Sequence, residues 1–328
     1  MTLGLVFLMI FFSVVLVRST DMVVIAVRRM GGNVKKKTFA LSAVVLALGT
    51  SFPELSVGIT SALEKAPSVS LGNVTGSNIA NIALIGGLST LIAGKIKVSS
   101  GYVKREVWVA MLVSCIPLIF LLDGVLSRIE GFILLAVYFL YAFSFFKSRY
   151  VQIGKEQKQK SFAHRFSRRF RYVAFKKGKE VKKLIAGIVL MLISADSIVR
   201  ISIHLASLVR IPEFVIGLVI ISVGTTLPEL TFSVRSLKEH EPSMFLGNIL
   251  GSTIANSTLI LGIVAVIQPV ILVAKTQYFI AIFSYIFIFL VFLYFIRTKH
   301  RLERWEGVVL LCLYLIFLGA EITGSFNL

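Results

Sequence analysis

Long apolar runs alternate with short polar breaks along the whole chain. Ten of the runs approach or exceed the roughly 20 residues that one helix needs to cross a bilayer. They lie near residues 2–28, 38–63, 68–94, 104–122, 126–146, 182–208, 213–236, 241–269, 276–297 and 304–322. The pattern predicts an all-α integral membrane protein with ten transmembrane helices. Four of the runs carry polar side chains in their middles, two in each half of the chain. Polar and ionisable residues inside a membrane are costly, and they mark ion or substrate pathways.

Those four runs hold a repeat. Gly49-Thr50-Ser51-Phe52-Pro53-Glu54-Leu55 recurs as Gly224-Thr225-Thr226-Leu227-Pro228-Glu229-Leu230. Gly72-Asn73-Val74-Thr75-Gly76-Ser77-Asn78-Ile79-Ala80-Asn81 recurs as Gly247-Asn248-Ile249-Leu250-Gly251-Ser252-Thr253-Ile254-Ala255-Asn256, at the same offset of 175 residues. Asp21 and Asp196 share that offset. Five spans, a basic linker and five more spans follow: a first repeat over 1–146, a linker over 147–183 and a second repeat over 184–328. An odd number of crossings per repeat turns the second upside down. Inverted repeats of this kind are the architecture of many secondary transporters, with the ion site at mid-membrane between the halves.

Composition supports a membrane protein and limits the partners. The chain has 328 residues, of which 56% are hydrophobic and 16% charged, against about a quarter charged in a typical soluble protein. A net charge of +19 could suggest nucleic acid, but its placement argues against that. Fourteen of the 35 Lys and Arg lie between Lys147 and Lys183. Other clusters are Arg28, Arg29 and Lys35 to Lys37, then Lys95, Lys97, Lys104 and Arg105, then Arg297, Lys299, Arg301 and Arg304. With ten spans, all of these fall on one side, and the positive-inside rule makes that side the cytoplasm and leaves both termini outside. The expectation is a multi-pass protein of the cell membrane with no nucleic-acid partner. In the linker, Phe162, Phe166 and Phe170 recur every fourth residue among Arg165, Arg168, Arg169 and Arg171, which suits a helix on anionic lipid headgroups. Cys115 and Cys312 sit inside spans and read as inert packing residues.

The chemistry of the repeated motifs is that of oxygen ligands. Pro53 and Pro228 fall in mid-span, where proline removes a backbone donor and clashes with the preceding turn, so the helices should kink or unwind near Gly49-Thr50 and Gly224-Thr225. Freed carbonyls, with Ala47 and Ser222 about one turn upstream as donors, can then meet a cation. Thr50, Ser51 and Glu54 share little more than one turn, as do Thr225, Thr226 and Glu229. Ser77 and Asn81 share one helix face, as do Ser252 and Asn256. Such donors suit hard cations such as sodium and calcium, and there is no Cys or His constellation for zinc or copper. The Gly72-x-x-x-Gly76 and Gly247-x-x-x-Gly251 patterns should let the four helices approach closely. Asn73 and Asn248 read as structural hydrogen-bonding residues. Asp21, three residues after Arg18, reads as an ion-pair or interfacial residue, with gating as the alternative.

The paired G-T-S-x-P-E and G-N-x-x-G-S-x-I-x-N motifs resemble the α-repeats of the cation/calcium exchanger superfamily, most closely the sodium/calcium exchangers. The α-repeats would lie near 43–90 and 218–265. The resemblance implies electrogenic exchange of sodium for calcium by alternating access, with the first and sixth spans sliding across the core. It implies transport of Na+ and Ca2+ as substrates, no cofactor and no enzymatic activity. Carried over residue by residue, the ion ligands are Glu54, Glu229, Asn81, Asn256, Thr50, Ser51, Thr225, Thr226, Ser77 and Ser252, with carbonyls from Ala47 and Ser222. Thr226 stands where serine is usual. Asn256 stands where potassium-dependent members have aspartate, which argues against potassium co-transport. A calcium/proton antiporter, another sodium-coupled exchanger and, as a different class, an ion channel are the alternatives; a monomer is plausible.

Overall fold

Side-chain patterning decides which helices form the centre of this molecule. The computed structural model describes residues 2–30, 50–97, 101–154, 178–238, 242–299 and 301–326. Residues 155–177 of the basic linker, including its Phe and Arg pattern, lie outside these, as do Ala47 and Lys35 to Lys37.

The first half runs α1 (Thr2–Met30), α2 (Phe52–Leu63), α3 (Pro67–Ile79), a π-helical segment (Ala80–Ile85) and α4 (Gly86–Ala93), then α5 (Gly101–Phe120) and α6 (Arg128–Gly154). The second half runs α7 (Gly178–Val209), α8 (Glu213–Ile216), a π segment (Gly217–Ile221), α9 (Ser222–Thr225), α10 (Leu227–Lys238), α11 (Pro242–Ile254), a π segment (Ala255–Ile260) and α12 (Leu261–Ile267). It closes with α13 (Lys275–Lys299) and α14 (Arg304–Phe326). Among the described residues, eight helical stretches are long and apolar enough to cross a membrane. Of the other two expected spans, that near 126–146 coincides with α6, and that near 38–63 is described only from Thr50 onward.

The polar stretches are central and the plainly apolar ones peripheral. Within Pro67–Ala93 and Pro242–Ile267, 72% and 78% of the most apolar window is buried, against 28% in Gly4–Val23 and in Arg304–Gly324. Phe7, Leu140 and Ile316 stand exposed on outer helices. That distribution fits a surface facing lipid, where an apolar exterior carries no penalty. Cys312, expected to be buried, is exposed on α14, while Cys115 is half-buried. A helix apolar on all faces does not reveal which side meets lipid.

Two apolar clusters divide the interior. α1 lies along α7, and Met9, Leu16, Met191, Ala195, Ile198 and Val199 form one cluster that reaches Val57 and Ile221. The larger cluster joins α3, α5, α11, α12, α13 and α14 through residues such as Leu71, Ile82, Ala110, Phe245, Phe289 and Leu310. Gly72 and Gly76 let α3 approach the backbone of the seventh apolar run. A Cβ on Gly72 would overlap the Phe214 carbonyl, and one on Gly76 the Leu218 carbonyl. The positions that would answer Phe214 and Leu218 in the second pattern, 39 and 43, lie outside the described residues.

Short antiparallel ribbons, not expected from the sequence, tie helix ends together. β1 (Lys95–Lys97) pairs with β4 (Arg301–Glu303), and β2 (Val125–Leu126) pairs with β3 (Val270–Ile271). Shifted by 175 residues, β1 falls on β3 and β2 on β4, so each ribbon is the counterpart of the other. The contact of Gly87 with Gly307 similarly answers that of Gly262 with Gly131.

Candidate functional site

Each proline sits in the first turn of a helix that starts close to the expected break. Ser51 (φ −83°, ψ 7°) precedes Phe52-Pro53, and Thr226 (φ −83°, ψ 1°) precedes Leu227-Pro228, so both copies of the motif break with nearly the same backbone. Because Pro228 has no N–H, the Gly224 carbonyl loses its helical donor. Regular bonding resumes one turn on, with Leu55 N donating to Ser51 O at 3.0 Å and Leu230 N to Thr226 O at 3.1 Å. Glu54 and Glu229 therefore sit in the first turn of their new helices, α2 and α10.

The partner helices widen where their asparagines sit. Asn81 and Asn256 are each the second residue of a π-helical segment, Ala80–Ile85 and Ala255–Ile260. Single π turns inside α-helices often accompany functional sites because they displace side chains from the regular helical face. Neither π segment is evident in the apolar pattern.

Of the twelve candidate ligand residues, eleven lie within the described residues and all eleven are buried, with Glu54 and Glu229 at 0% exposure. Hydrogen bonds across this polar interior knit the two halves together. Thr50 Oγ1 donates to Asn248 Oδ1 at 3.2 Å, and Thr225 Oγ1 to Asn73 Oδ1 at 3.1 Å. Ser51 Oγ donates to Ser252 Oγ at 3.2 Å, and Ser77 Oγ lies 3.3 Å from Thr225 Oγ1. Ser252 Oγ also reaches Glu229 Oε1 at 3.5 Å. Thr50, Ser51, Ser77, Thr225, Ser252 and Glu229 are thus brought together, and Asn73 and Asn248 bond between the halves.

Two candidates are differently placed. The Ser222 carbonyl accepts from Thr226 N at 3.1 Å and Thr226 Oγ1 at 2.9 Å. The Thr226 hydroxyl donates its proton there and keeps its oxygen lone pairs. Ala47 is outside the described residues.

The polar interior retains acceptors that the protein does not satisfy. Both carboxylate oxygens of Glu54, Oε2 of Glu229, and Oδ1 of Asn81 and of Asn256 are buried without a hydrogen-bond partner. Native proteins pair nearly all such groups, because an unpaired buried polar atom costs about 1–3 kcal/mol and a charged one more. The ion pairs formed by Arg200 and Arg301 involve Glu64, Asp196 and Glu303, not the central carboxylates. Two carboxylates with amide and hydroxyl oxygens form a donor set for a hard cation. Among the described residues no group of three or more His, Cys, Asp or Glu could hold a resident metal.

Comparison with known proteins gives this donor set a context. The family model for sodium/calcium exchanger protein matches residues 4–147 and 183–323. The chain belongs to the sodium/calcium exchanger family. It is 30% identical to the sodium/calcium exchanger MaX1 of Methanosarcina acetivorans, with 96% of this chain and 95% of the relative covered. It is also 30% identical to the inner membrane protein YrbG of Escherichia coli, over 70% of this chain and 69% of that protein. Among solved structures it resembles the sodium-calcium exchanger NCX_Mj soaked with 100 mM Na+ and 10 mM Sr2+. There the TM-score is 0.65 and the identity 26%, with 98% and 99% of the two chains covered. This exchanger is therefore a multi-pass membrane antiporter, not an enzyme. The sequence motifs had marked its ligand candidates, but not Asn78 or Ser257, which flank Asn256 in the same polar interior.

Asp21 and Asp196 lie elsewhere. Asp196 on α7 accepts from Arg200 Nε at 3.0 Å, and Arg200 Nη2 reaches Glu64, just past the end of α2, at 2.6 Å. Asp21 is exposed on α1.

Proposed function

We propose that this protein exchanges sodium for calcium by alternating access through one site at mid-membrane. Glu54, Glu229, Asn81, Asn256, Thr50, Ser51, Thr225, Thr226, Ser77 and Ser252 bind the ions, joined by the carbonyls of Ala47 and Ser222. The observation that carries this reading is the set of five buried, unpartnered oxygens on Glu54, Glu229, Asn81 and Asn256. A dehydrated cation is what repays their desolvation. Two carboxylates balance the charge of one calcium ion, and the surrounding hydroxyls offer sodium neutral oxygens. The names of MaX1 and NCX_Mj support the same ion pair.

The architecture we assign is ten spans in two inverted five-helix repeats, over 1–146 and 184–328, with both termini outside and the basic linker over 147–183 on anionic headgroups of the cytoplasmic leaflet. The exchanged ribbons, the matched Gly87–Gly307 and Gly262–Gly131 contacts, and the paired threonine–asparagine bonds support a two-fold relation between the halves. α1 and α7 pack along each other and largely face outward, which suits a pair that moves across the remaining helices.

The test is uptake of calcium-45 into proteoliposomes loaded with sodium and diluted into sodium-free buffer at equal internal and external pH. Uptake that needs internal sodium and responds to membrane potential is the expected result. Uptake driven only by a pH gradient would replace sodium with protons as the counter-ion. Flux without any counter-ion would indicate a channel.

A further inference from the structure

An amide is a good cation ligand only if its oxygen, not its nitrogen, faces the ion. The two ends of an asparagine side chain have nearly the same shape, so neighbouring hydrogen bonds must choose between them. At Asn256 that choice is made. Its Nδ2 donates to Asn78 Oδ1 at 3.2 Å, and Asn78 Nδ2 in turn donates to Ser257 Oγ at 2.8 Å. All three side chains are buried. With its nitrogen engaged, Asn256 leaves Oδ1 as its unpartnered atom.

The other half lacks this device. Position 78 corresponds to Thr253, whose hydroxyl donates to its own helix at the Ile249 carbonyl, 2.9 Å away. Position 257 corresponds to Ile82, which has no hydrogen-bonding side chain. Asn81, the counterpart of Asn256, has neither Nδ2 nor Oδ1 partnered. The repeat is therefore broken at the shell around its asparagines, and broken in one direction.

We propose that Asn78, backed by Ser257, is a positioning residue that holds Asn256 with its amide oxygen toward the bound cation, whereas Asn81 is free to turn. The inference rests on the site assigned under the proposed function. Without Asn78, the Asn256 amide can present nitrogen to the site, where its N–H groups oppose a cation. A carboxylate at 256 has two equivalent oxygens and needs no such orientation. The dependence on Asn78 should therefore disappear when position 256 is aspartate.

The experiment is equilibrium binding of calcium-45 to the purified full-length protein in sodium-free detergent buffer. It compares wild type, Asn78→Ala, Asn256→Asp and the double variant. Asn78→Leu, close to asparagine in shape, provides a second probe if the alanine variant does not fold. The expected result is a roughly five- to tenfold loss of calcium affinity on removing Asn78 from the wild type, the size of one buried hydrogen bond. In the Asn256→Asp background the loss should be about twofold or less, a coupling that a double-mutant cycle isolates. An equal loss in both backgrounds would assign Asn78 to packing and overturn the proposal, as would unchanged affinity in the wild-type background. A wild type that binds no calcium would overturn the site itself, an outcome distinct from wild-type binding that Asn78 does not influence.

Discussion

Thr225 Oγ1 donates to Asn73 Oδ1 at 3.1 Å, and the same bond recurs at an offset of 175 residues from Thr50 to Asn248 at 3.2 Å. In each case the threonine stands just ahead of the proline-bearing helix of one half and the asparagine on the glycine-rich helix of the other. Each half thus supplies the acceptor that fixes the other's hydroxyl. The polar centre is assembled reciprocally, with each half contributing an acceptor to the other.

Removing either asparagine should loosen that joint without removing a ligand. Asn73→Ala and Asn248→Ala are each expected to cost about 1 kcal/mol, the net worth of one buried hydrogen bond between the halves. The midpoint of thermal unfolding in detergent should fall by a similar amount for both, and calcium-45 exchange should persist at a reduced rate. Loss of exchange with no change in the midpoint would make these asparagines ion ligands instead.

Glu54→Gln and Glu229→Gln should each reduce sodium-dependent calcium uptake to background while the protein remains folded. Either change keeps the side-chain shape but leaves one carboxylate to face a divalent ion in a buried setting, where an uncompensated charge costs several kcal/mol. Monodispersity in detergent and calcium-45 uptake by proteoliposomes provide the two readings. Near-normal exchange by either variant would remove that glutamate from the site.

Glycine substitutions separate close helix approach from mere helix content. Gly72→Ala places a methyl group against the Phe214 carbonyl, and Gly76→Ala against the Leu218 carbonyl, so the helices must move apart. A destabilisation of about 3 kcal/mol or a loss of folded yield is expected for each, since overpacking into rigid backbone has no soft neighbour to yield. Gly319→Ala has open space around its new methyl and should be tolerated. Folded yield and unfolding midpoint, compared across the three, test the contrast.

Much of this arrangement was legible in the chain because the repeat placed chemistry twice at one spacing. Pro53 and Pro228 marked the breaks to within a residue or two, and Glu54 and Glu229 announced themselves as acids within apolar runs. What escaped notice lacked such a signal. The π turns at Asn81 and Asn256 leave the hydropathy pattern unchanged, and the ribbons are two or three residues long, too short for an alternating pattern. Asn78 carries no such signal for another reason: its repeat counterpart is Thr253, so the motif does not pair it. Lipid is as apolar as leucine, so the outward side of α14, with its exposed Cys312, could not be told from the inward side.

Asn256→Asp is the change that most directly tests how charge sets selectivity. With Glu54 and Glu229 as the two acids, a bound calcium ion leaves the site near neutrality. Aspartate at 256 adds a third carboxylate whose oxygen replaces the Oδ1 that Asn256 leaves unpartnered. The site with calcium bound then carries an extra negative charge in a buried environment, and a monovalent cation can offset it. The variant is therefore expected to show calcium exchange that rises with potassium, or a changed preference among cations, where the wild type is indifferent to potassium. Calcium-45 uptake into sodium-loaded proteoliposomes, with and without added potassium, gives the answer. Unchanged selectivity and unchanged potassium response would make position 256 structural and leave Glu54 and Glu229 to set the charge balance alone.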